Sequence, residues 1–282
     1  MSTVPIRFVS FNIRYAATDL ETNEKPWSQR APLVINQLKS IISSSVNGGE
    51  TIFGLQEVLL NQLNDILSGL GSSWTSLGVG SSDGKQSGEY GPILYRPSAL
   101  QLVYGTTKWL SNTPDTPSTG FGAAHRRIVT YGIFQHRASG KRFIAANTHL
   151  DNVSDDARVQ EIKLIVSILQ NVQQSYGQLG VVLTGDFNST DTGSAYVALL
   201  NTKYLADLYT SVNTSARYGY TNTFTGFNPA TQPSKETRID YIFTGIPSQF
   251  KWALVRYEVL NNVVNNVYIS DHRSVVGDLG IN

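Results

Sequence analysis

The chain of 282 residues is 40% hydrophobic and 15% charged, with a formal net charge of +1 and no cysteine. This composition supports a sizeable core in one large domain or two ordinary ones. It excludes disulfides and thiolate metal sites, and it lacks the basic excess needed to grip many phosphates of a polymer. No apolar run approaches the roughly 20 residues that span a bilayer.

In chain order, residues 6–13 read as a strand, 29–44 as a helix, 51–55 as a strand and 59–70 as a helix. Strands are then predicted over 91–95, 128–134 and 142–147, a helix over 155–176, and strands over 180–183, 239–243, 252–259 and 275–279. The strands are short Val-, Ile-, Phe- and Tyr-rich runs bounded by Gly, Asn, Asp or Pro. The helices carry one apolar side, for instance Val34, Ile35, Leu38, Ile41 and Ile42. Many strands with few helices suggest sheets packed together and covered by helices. With no repeat and no long linker, a single domain over 1–282 is expected. The stretches 71–91 and 111–124 look like long surface loops, a length often tied to function. No basic and apolar leader precedes IRFVSFNI, so no signal peptide is expected; the default location is cytoplasmic, with secretion open if a leader was removed.

Polar residues stand where several apolar strands end. Asn12 closes FVSFN, Glu57 closes IFGLQE, His149 lies in ANTHLD, Asp186 and Asn188 in LTGDFNS, Asp240 in RIDYIF, and Asp271 and His272 open SDHRSVV. Each alone has an ordinary reading as a turn, cap or satisfied core-edge residue. Asp240 is harder to dismiss, because a carboxylate inside an apolar strand needs a partner. Together they are the pattern of a sheet presenting its edge loops to one cleft. Carboxylates with an amide and no thiolate make a hard, oxygen-rich site suited to Mg²⁺, with Mn²⁺ as the alternative. Histidines beside such a metal suit cleavage of an oxygen ester.

The ordered set FVSFNIRY, GLQEV, GEYGPILYR, NTHLD, LTGDFNS, RIDYIF and SDHRSVV resembles the endonuclease/exonuclease/phosphatase superfamily over nearly the whole chain, and most of all its uncharacterised bacterial and fungal branch. The resemblance implies a four-layer α/β sandwich of two mixed β-sheets packed face to face and flanked by helices. It implies Glu57 as the principal metal ligand, with Asn12 and Asp271 near the metal or the scissile phosphate. His149 then donates to a phosphoryl oxygen with Glu89 orienting it; Asp186 directs the water, Asn188 holds the phosphate, and His272 pairs with Asp240. A neighbouring anion is expected to keep such histidines protonated.

The pancreatic-type nucleases carry a DNA-contacting arginine two residues after the metal glutamate; here that position is Leu59. A small phosphate ester, a sugar phosphate or small phosphodiester, is therefore favoured over nucleic acid, with no membrane partner and a monomer expected. Trp109, Phe121, His125, Arg126 and Arg127 are candidates to wall a pocket and grip a terminal phosphate, and Trp27 with Arg30 to form another rim. A nuclease is the alternative activity. A non-catalytic binding module on the same fold would have lost part of the set Glu57, His149, Asp186, Asn188, Asp240 and His272, and all are present. Asn152, Asn188 and Asn213 fit the glycosylation pattern, but a glycan on Asn188 would block the cleft.

Overall fold

The computed structural model describes residues 3–228, 235–245 and 252–282. All nine predicted strands and all three predicted helices form within those residues. In chain order the elements are β1 (Val4–Asn12), α1 (Trp27–Ser43), β2 (Glu50–Gln56), α2 (Leu60–Leu70), β3 (Thr75–Leu77), β4 (Ile93–Tyr95), β5 (Leu100–Trp109), β6 (Ile128–His136), β7 (Arg142–His149) and α3 (Asp155–Tyr176). Then come β8 (Gly180–Asp186), α4 (Ser194–Asn201), β9 (Leu205–Asp207), α5 (Leu208–Ser211), β10 (Arg217–Gly219), β11 (Asp240–Gly245), β12 (Trp252–Val259), β13 (Val263–Val264), β14 (Val267–Tyr268) and β15 (Val275–Ile281). The ten-residue β5 escapes sequence reading because it is an edge strand, half exposed and rich in Thr and Lys.

Two sheets result, in the orders β10-β12-β15-β1-β2-β4-β3 and β5-β6-β7-β8-β11-β9. Both are mixed: β1–β2 and β7–β8 run parallel, while β1–β15 and β8–β11 run antiparallel. The sheets pack face to face, β1 across β8 and β2 across β7. Phe8 meets Phe143 of the opposite sheet edge-on, with ring centroids 5.8 Å apart. Outside the first sheet Val9, Phe11, Phe53 and Leu55 pack with Val34, Leu38 and Leu63 of α1 and α2. Outside the second lie α3 and α4, which bury Ile162, Ile165, Leu169 and Leu199. The predicted four-layer sandwich is the fold.

Successive residues of a strand point to opposite faces, so one face can be followed every second residue. Towards the interior, β1 reads Phe8, Ser10, Asn12; β7 reads Ala145, Asn147, His149; β8 reads Val182, Thr184, Asp186. In each strand the inner face changes from apolar to polar towards its carboxyl end. Asp240 joins them because β11 pairs it with Asp186 in antiparallel register. Just beneath the last layer, Gln56 donates to Asn147 Oδ1 (2.7 Å), Thr184 donates to the same oxygen (3.0 Å), and the Asn147 amide donates to Leu55 O (2.7 Å). These bonds tie the sheets together in register. Residue 54 must be glycine there, since a Cβ would lie 2.1 Å from Thr184 Oγ1.

Candidate active site

Three non-glycine residues around the polar strand ends have left-handed backbones: Arg14 (φ 57°), Glu57 (φ 59°) and Asn188 (φ 47°). Such conformations cost of order 1 kcal/mol or more each and persist where surrounding contacts enforce them. At Glu57 this kink follows β2 directly. The carboxylate there accepts from Asn12 Nδ2 (2.9 Å) and from Tyr15 N (3.2 Å). Asn12 also donates to Asp186 Oδ2 (2.9 Å), and its own oxygen accepts from Arg14 N (3.0 Å). Fully buried, Asn12 is a brace between two carboxylates, one of them the expected metal ligand Glu57.

Asp186 is the centre of the group. Its Oδ1 accepts from Asn188 N (2.8 Å), while Oδ2 lies 3.5 Å from His149 Nε2 and 3.6 Å from His272 Nε2. Burial and then the charge of Asp240 push the Asp186 carboxyl up to about 6, against the opposing pull of His272. His272 Nδ1 lies 2.8 Å from Asp240 Oδ2, both side chains buried. Burial disfavours charge on His272, but Asp240, Asp186 and Asp271 outweigh it and hold its pKa well above the ordinary value. The predicted histidine–carboxylate pair is therefore present and favours the imidazolium.

His149 behaves in the opposite way. Its Nδ1 lies 3.1 Å from Arg127 Nη1, whereas Glu89 Oε2 is 3.9 Å away. Burial, followed by the cationic Arg127, drives its pKa well below the ordinary value. This corrects the expected imidazolium at 149, while the expected Glu89–His149 pair is present as the longer, 3.9 Å contact. Since a guanidinium can only donate, it occupies the lone pair of Nδ1 and leaves the ring proton on Nε2. Asn188 Nδ2, which donates to Leu150 O (3.0 Å), lies 2.9 Å from that Nε2. Asn188 Nδ2 and His149 Nε2 are thus within hydrogen-bond distance, and Asp186 Oδ2, 3.5 Å from Nε2, is the protein acceptor that a proton on Nε2 meets.

Arg127 is buried and also donates to Asn152 Oδ1 (3.0 Å). It supports His149 and lines the crevice beside it, whereas Arg126 next to it is exposed. Behind it Asp151 accepts from Ala124 N (2.9 Å), and Glu161 accepts from Asp151 N (2.9 Å). The Glu161 carboxyl is pushed up to about 7 by burial.

Other expected pocket residues separate. Trp109 is buried and donates to Ser81 O (2.7 Å), so it props the 80–89 loop from behind and does not wall the cleft. Arg126 and His125 are exposed beside Glu89. Arg30 forms no rim: it is 0% exposed and donates to the carbonyls of Lys25, Ile13, Ile269, Arg14 and Tyr15, fixing the backbone that carries Asn12. Trp27 is buried too and donates to Asp65 (2.8 Å). Sequence reasoning missed Arg30's role, the Gln56–Asn147–Thr184 layer and Asp151. The one available signal was Asn147, an amide inside an otherwise apolar strand two residues before His149.

The donor set fits a hard divalent cation. Glu57 and Asp271 are both carboxylates whose pKa values are raised, Glu57 by burial and then by Asp271, so each holds charge beside the other at a cost that a cation would remove. Ligand atoms of Glu57, His149 and Asp186 lie within 4.8 Å of one another, and no thiolate competes. Among the described residues, no helix is long and apolar enough to cross a membrane.

Known proteins share this fold. The model of the Endonuclease/Exonuclease/phosphatase family matches residues 9–272. An endonuclease/exonuclease/phosphatase family protein from Bacteroides thetaiotaomicron is 31% identical, with all of both chains covered and a TM-score of 0.85. A mannosyl-6-phosphatase of the same organism is 32% identical over 97% of this chain and 99% of its own, with a TM-score of 0.84. The human Nocturnin catalytic domain, at 19% identity, covers 99% of this chain and 94% of its own with a TM-score of 0.73, a likeness of fold alone. The chain belongs to the endonuclease/exonuclease/phosphatase family, whose members are phosphoric ester hydrolases.

Proposed function

We propose that this protein is a Mg²⁺-dependent phosphohydrolase that cleaves a small soluble phosphate ester, a sugar phosphate above all, by direct attack of water on phosphorus. The observation that carries this reading is the gathering of His149 Nε2, Asn188 Nδ2 and His272 Nε2 beside Asp186, whose Oδ2 lies 3.5 and 3.6 Å from the two histidine nitrogens. N–H groups gathered at one point make a place for an anionic oxygen. A phosphoryl oxygen there accepts from His149 and Asn188, with the protonated His272 supplying positive charge from the other side of Asp186.

Asp186, between the two histidines, orients the water and takes up its proton. Asn12 holds Asp186 and Glu57 at a fixed spacing. Asp240 keeps His272 charged, and Arg127 keeps His149 neutral with its proton on the side of the cleft. Glu57, assisted by Asp271, would hold Mg²⁺, which when bound neutralises phosphoryl oxygen charge as a Lewis acid. The sugar-phosphate preference rests on the neutral overall charge, on Leu59 in place of a DNA-contacting arginine, and on likeness to the mannosyl-6-phosphatase.

The test is a panel of p-nitrophenyl phosphate, bis-(p-nitrophenyl) phosphate, sugar phosphates and DNA with Mg²⁺. Wild type is expected to release inorganic phosphate from monoesters, and Asp186→Ala and His272→Ala to lose at least about a thousandfold in kcat/KM. Full activity in both variants would remove the assigned site; no hydrolysis of any panel member by wild type would favour a binding module.

A further inference from the structure

Arg127 Nη1 lies closer to His149 Nδ1 (3.1 Å) than Glu89 Oε2 does (3.9 Å), so the Glu89 carboxylate is left able to meet a further partner. Its side chain is 40% exposed and lines a cavity of about 360 Å³ that also meets Ser81, Ser82, Thr119, His125 and Arg126. A narrower crevice lined by Glu89, Arg126, Arg127 and His149 adjoins this cavity and reaches His149. Leu59 lines the cavity as well, so the position held by a DNA-contacting arginine in the pancreatic-type nucleases here faces the same space.

The wall is built in advance. Trp109 holds Ser81 O (2.7 Å), Ser81 N donates to Glu89 O (3.0 Å), and Asp83 caps the turn by accepting from Lys85 N (2.8 Å) and Ser87 N (2.9 Å). Ala124 N is pinned to Asp151 on the opposite loop. A preformed wall means little ordering cost on binding.

Its chemistry is selective. Hydroxyls from Ser81, Ser82 and Thr119 both donate and accept, Arg126 only donates, and Glu89, its carboxyl pushed up to about 7 by burial and then by Glu57, accepts when ionised and donates when protonated. Of the residues that line the cavity His125 alone carries a ring, so a nucleobase is not held between two stacking faces. No long apolar wall is present for an acyl chain, and Glu89 opposes a second phosphate. Vicinal hydroxyls, which donate and accept together, match this set.

We propose that Glu89 is a specificity-determining residue that accepts hydroxyl hydrogen bonds from a neutral polyhydroxylated leaving group, a sugar ring, seated between the 80–89 and 119–126 loops, while Arg127 alone positions His149. The proposal rests on the phosphohydrolase reading and names the substrate side of the same site.

The experiment compares kcat and KM for hexose 6-phosphates and for p-nitrophenyl phosphate, whose leaving group has no vicinal hydroxyls, using the full chain with Mg²⁺. Glu89→Ala is expected to lower the ratio of kcat/KM for hexose phosphate over aryl phosphate at least tenfold, chiefly through KM, with partial rescue in Glu89→Gln. Arg127→Met is expected to lower kcat for both substrates by the same factor, leaving the ratio as it was. An equal fall of kcat on both substrates in Glu89→Ala would overturn the proposal, because Glu89 would then act through His149. If wild type cleaves only diesters, the phosphohydrolase reading fails in its monoester form, and calorimetric binding of hexose 6-phosphate in EDTA decides the Glu89 proposal separately. Weakening of at least tenfold in Glu89→Ala supports it, and equal affinity or no binding by wild type overturns it.

Discussion

Replacing Asp240 by Asn removes a charge while leaving shape and a hydrogen-bond acceptor in place. Asp240 Oδ2 lies 2.8 Å from His272 Nδ1 with both groups buried, and Oδ1 of Asp240 has no hydrogen-bond partner among the described residues. Imidazolium and carboxylate therefore depend on each other. A charge-assisted hydrogen bond contributes about 1.5–3 kcal/mol, and one pKa unit corresponds to about 1.4 kcal/mol, so Asp240→Asn should lower the His272 pKa by about 1–2 units. If His272 acts as the imidazolium, activity is lost as pH rises through its pKa, and the alkaline limb of kcat/KM against pH should move down by that amount. At a pH above the shifted limb, activity should fall about 10- to 100-fold and recover towards neutral or acid pH. Stability follows the same sign: a histidine with a raised folded pKa contributes stability below its unfolded pKa, and that contribution disappears as pH rises through the folded value. The assay is a pH series of initial rates on p-nitrophenyl phosphate with thermal melts at the same pH values. A uniform loss at every pH, with the alkaline limb unmoved, would refute the claim that Asp240 acts by holding charge on His272.

An acid limb should also appear, because Asp186 must be ionised to take a proton and its carboxyl is pushed up to about 6; kcat/KM is expected to rise with pH through that region, and a flat profile down to pH near 4 would contradict it. Glu161 is buried with its carboxyl pushed up to about 7, so the folded state binds a proton that the unfolded state releases, and stability falls as pH rises from the ordinary glutamate range to 7. Glu161→Gln should raise the Tm above pH 7, by roughly 2–4 °C for each kcal/mol relieved, and change little at acid pH. Gly54→Ala drives a Cβ to 2.1 Å from Thr184 Oγ1 and should cost about 1–3 kcal/mol in chemical denaturation. Arg30→Met leaves five carbonyls, two of them in fully buried bonds, without their donor and should cost about 3–5 kcal/mol; unchanged stability would show that water replaces the guanidinium.

Sequence carried the strands, the long helices and the polar strand ends because those features are local: a period of two, a period near 3.6, and a polar residue where an apolar run stops. Asp186, Asn188, His272 and Asp240 could be grouped before any distance was known, since the family's motifs keep them in order. What escaped was side-chain direction in loops. Arg126 and Arg127 are neighbours in sequence, yet one is exposed and the other is buried against His149. Nothing local distinguishes them, because the difference is set by Asp151 and Asn152 across the loop. Trp109 and Arg30 were misplaced for the same reason: a large or charged residue in a loop reads as a wall of the cleft until its partners, Ser81 O and five backbone carbonyls, are known. Edge strand β5 hides because exposure on one side erases the apolar run that marks its neighbours.

The account stands most directly on a hydrolysis carried out in ¹⁸O-labelled water with a hexose phosphate and Mg²⁺. It predicts that from the first turnover the label enters inorganic phosphate and never the released sugar, and that Asp186→Ala slows this release at least about a thousandfold. Label in the sugar hydroxyl, or an undiminished rate in Asp186→Ala, would contradict a water directed by Asp186 onto phosphorus.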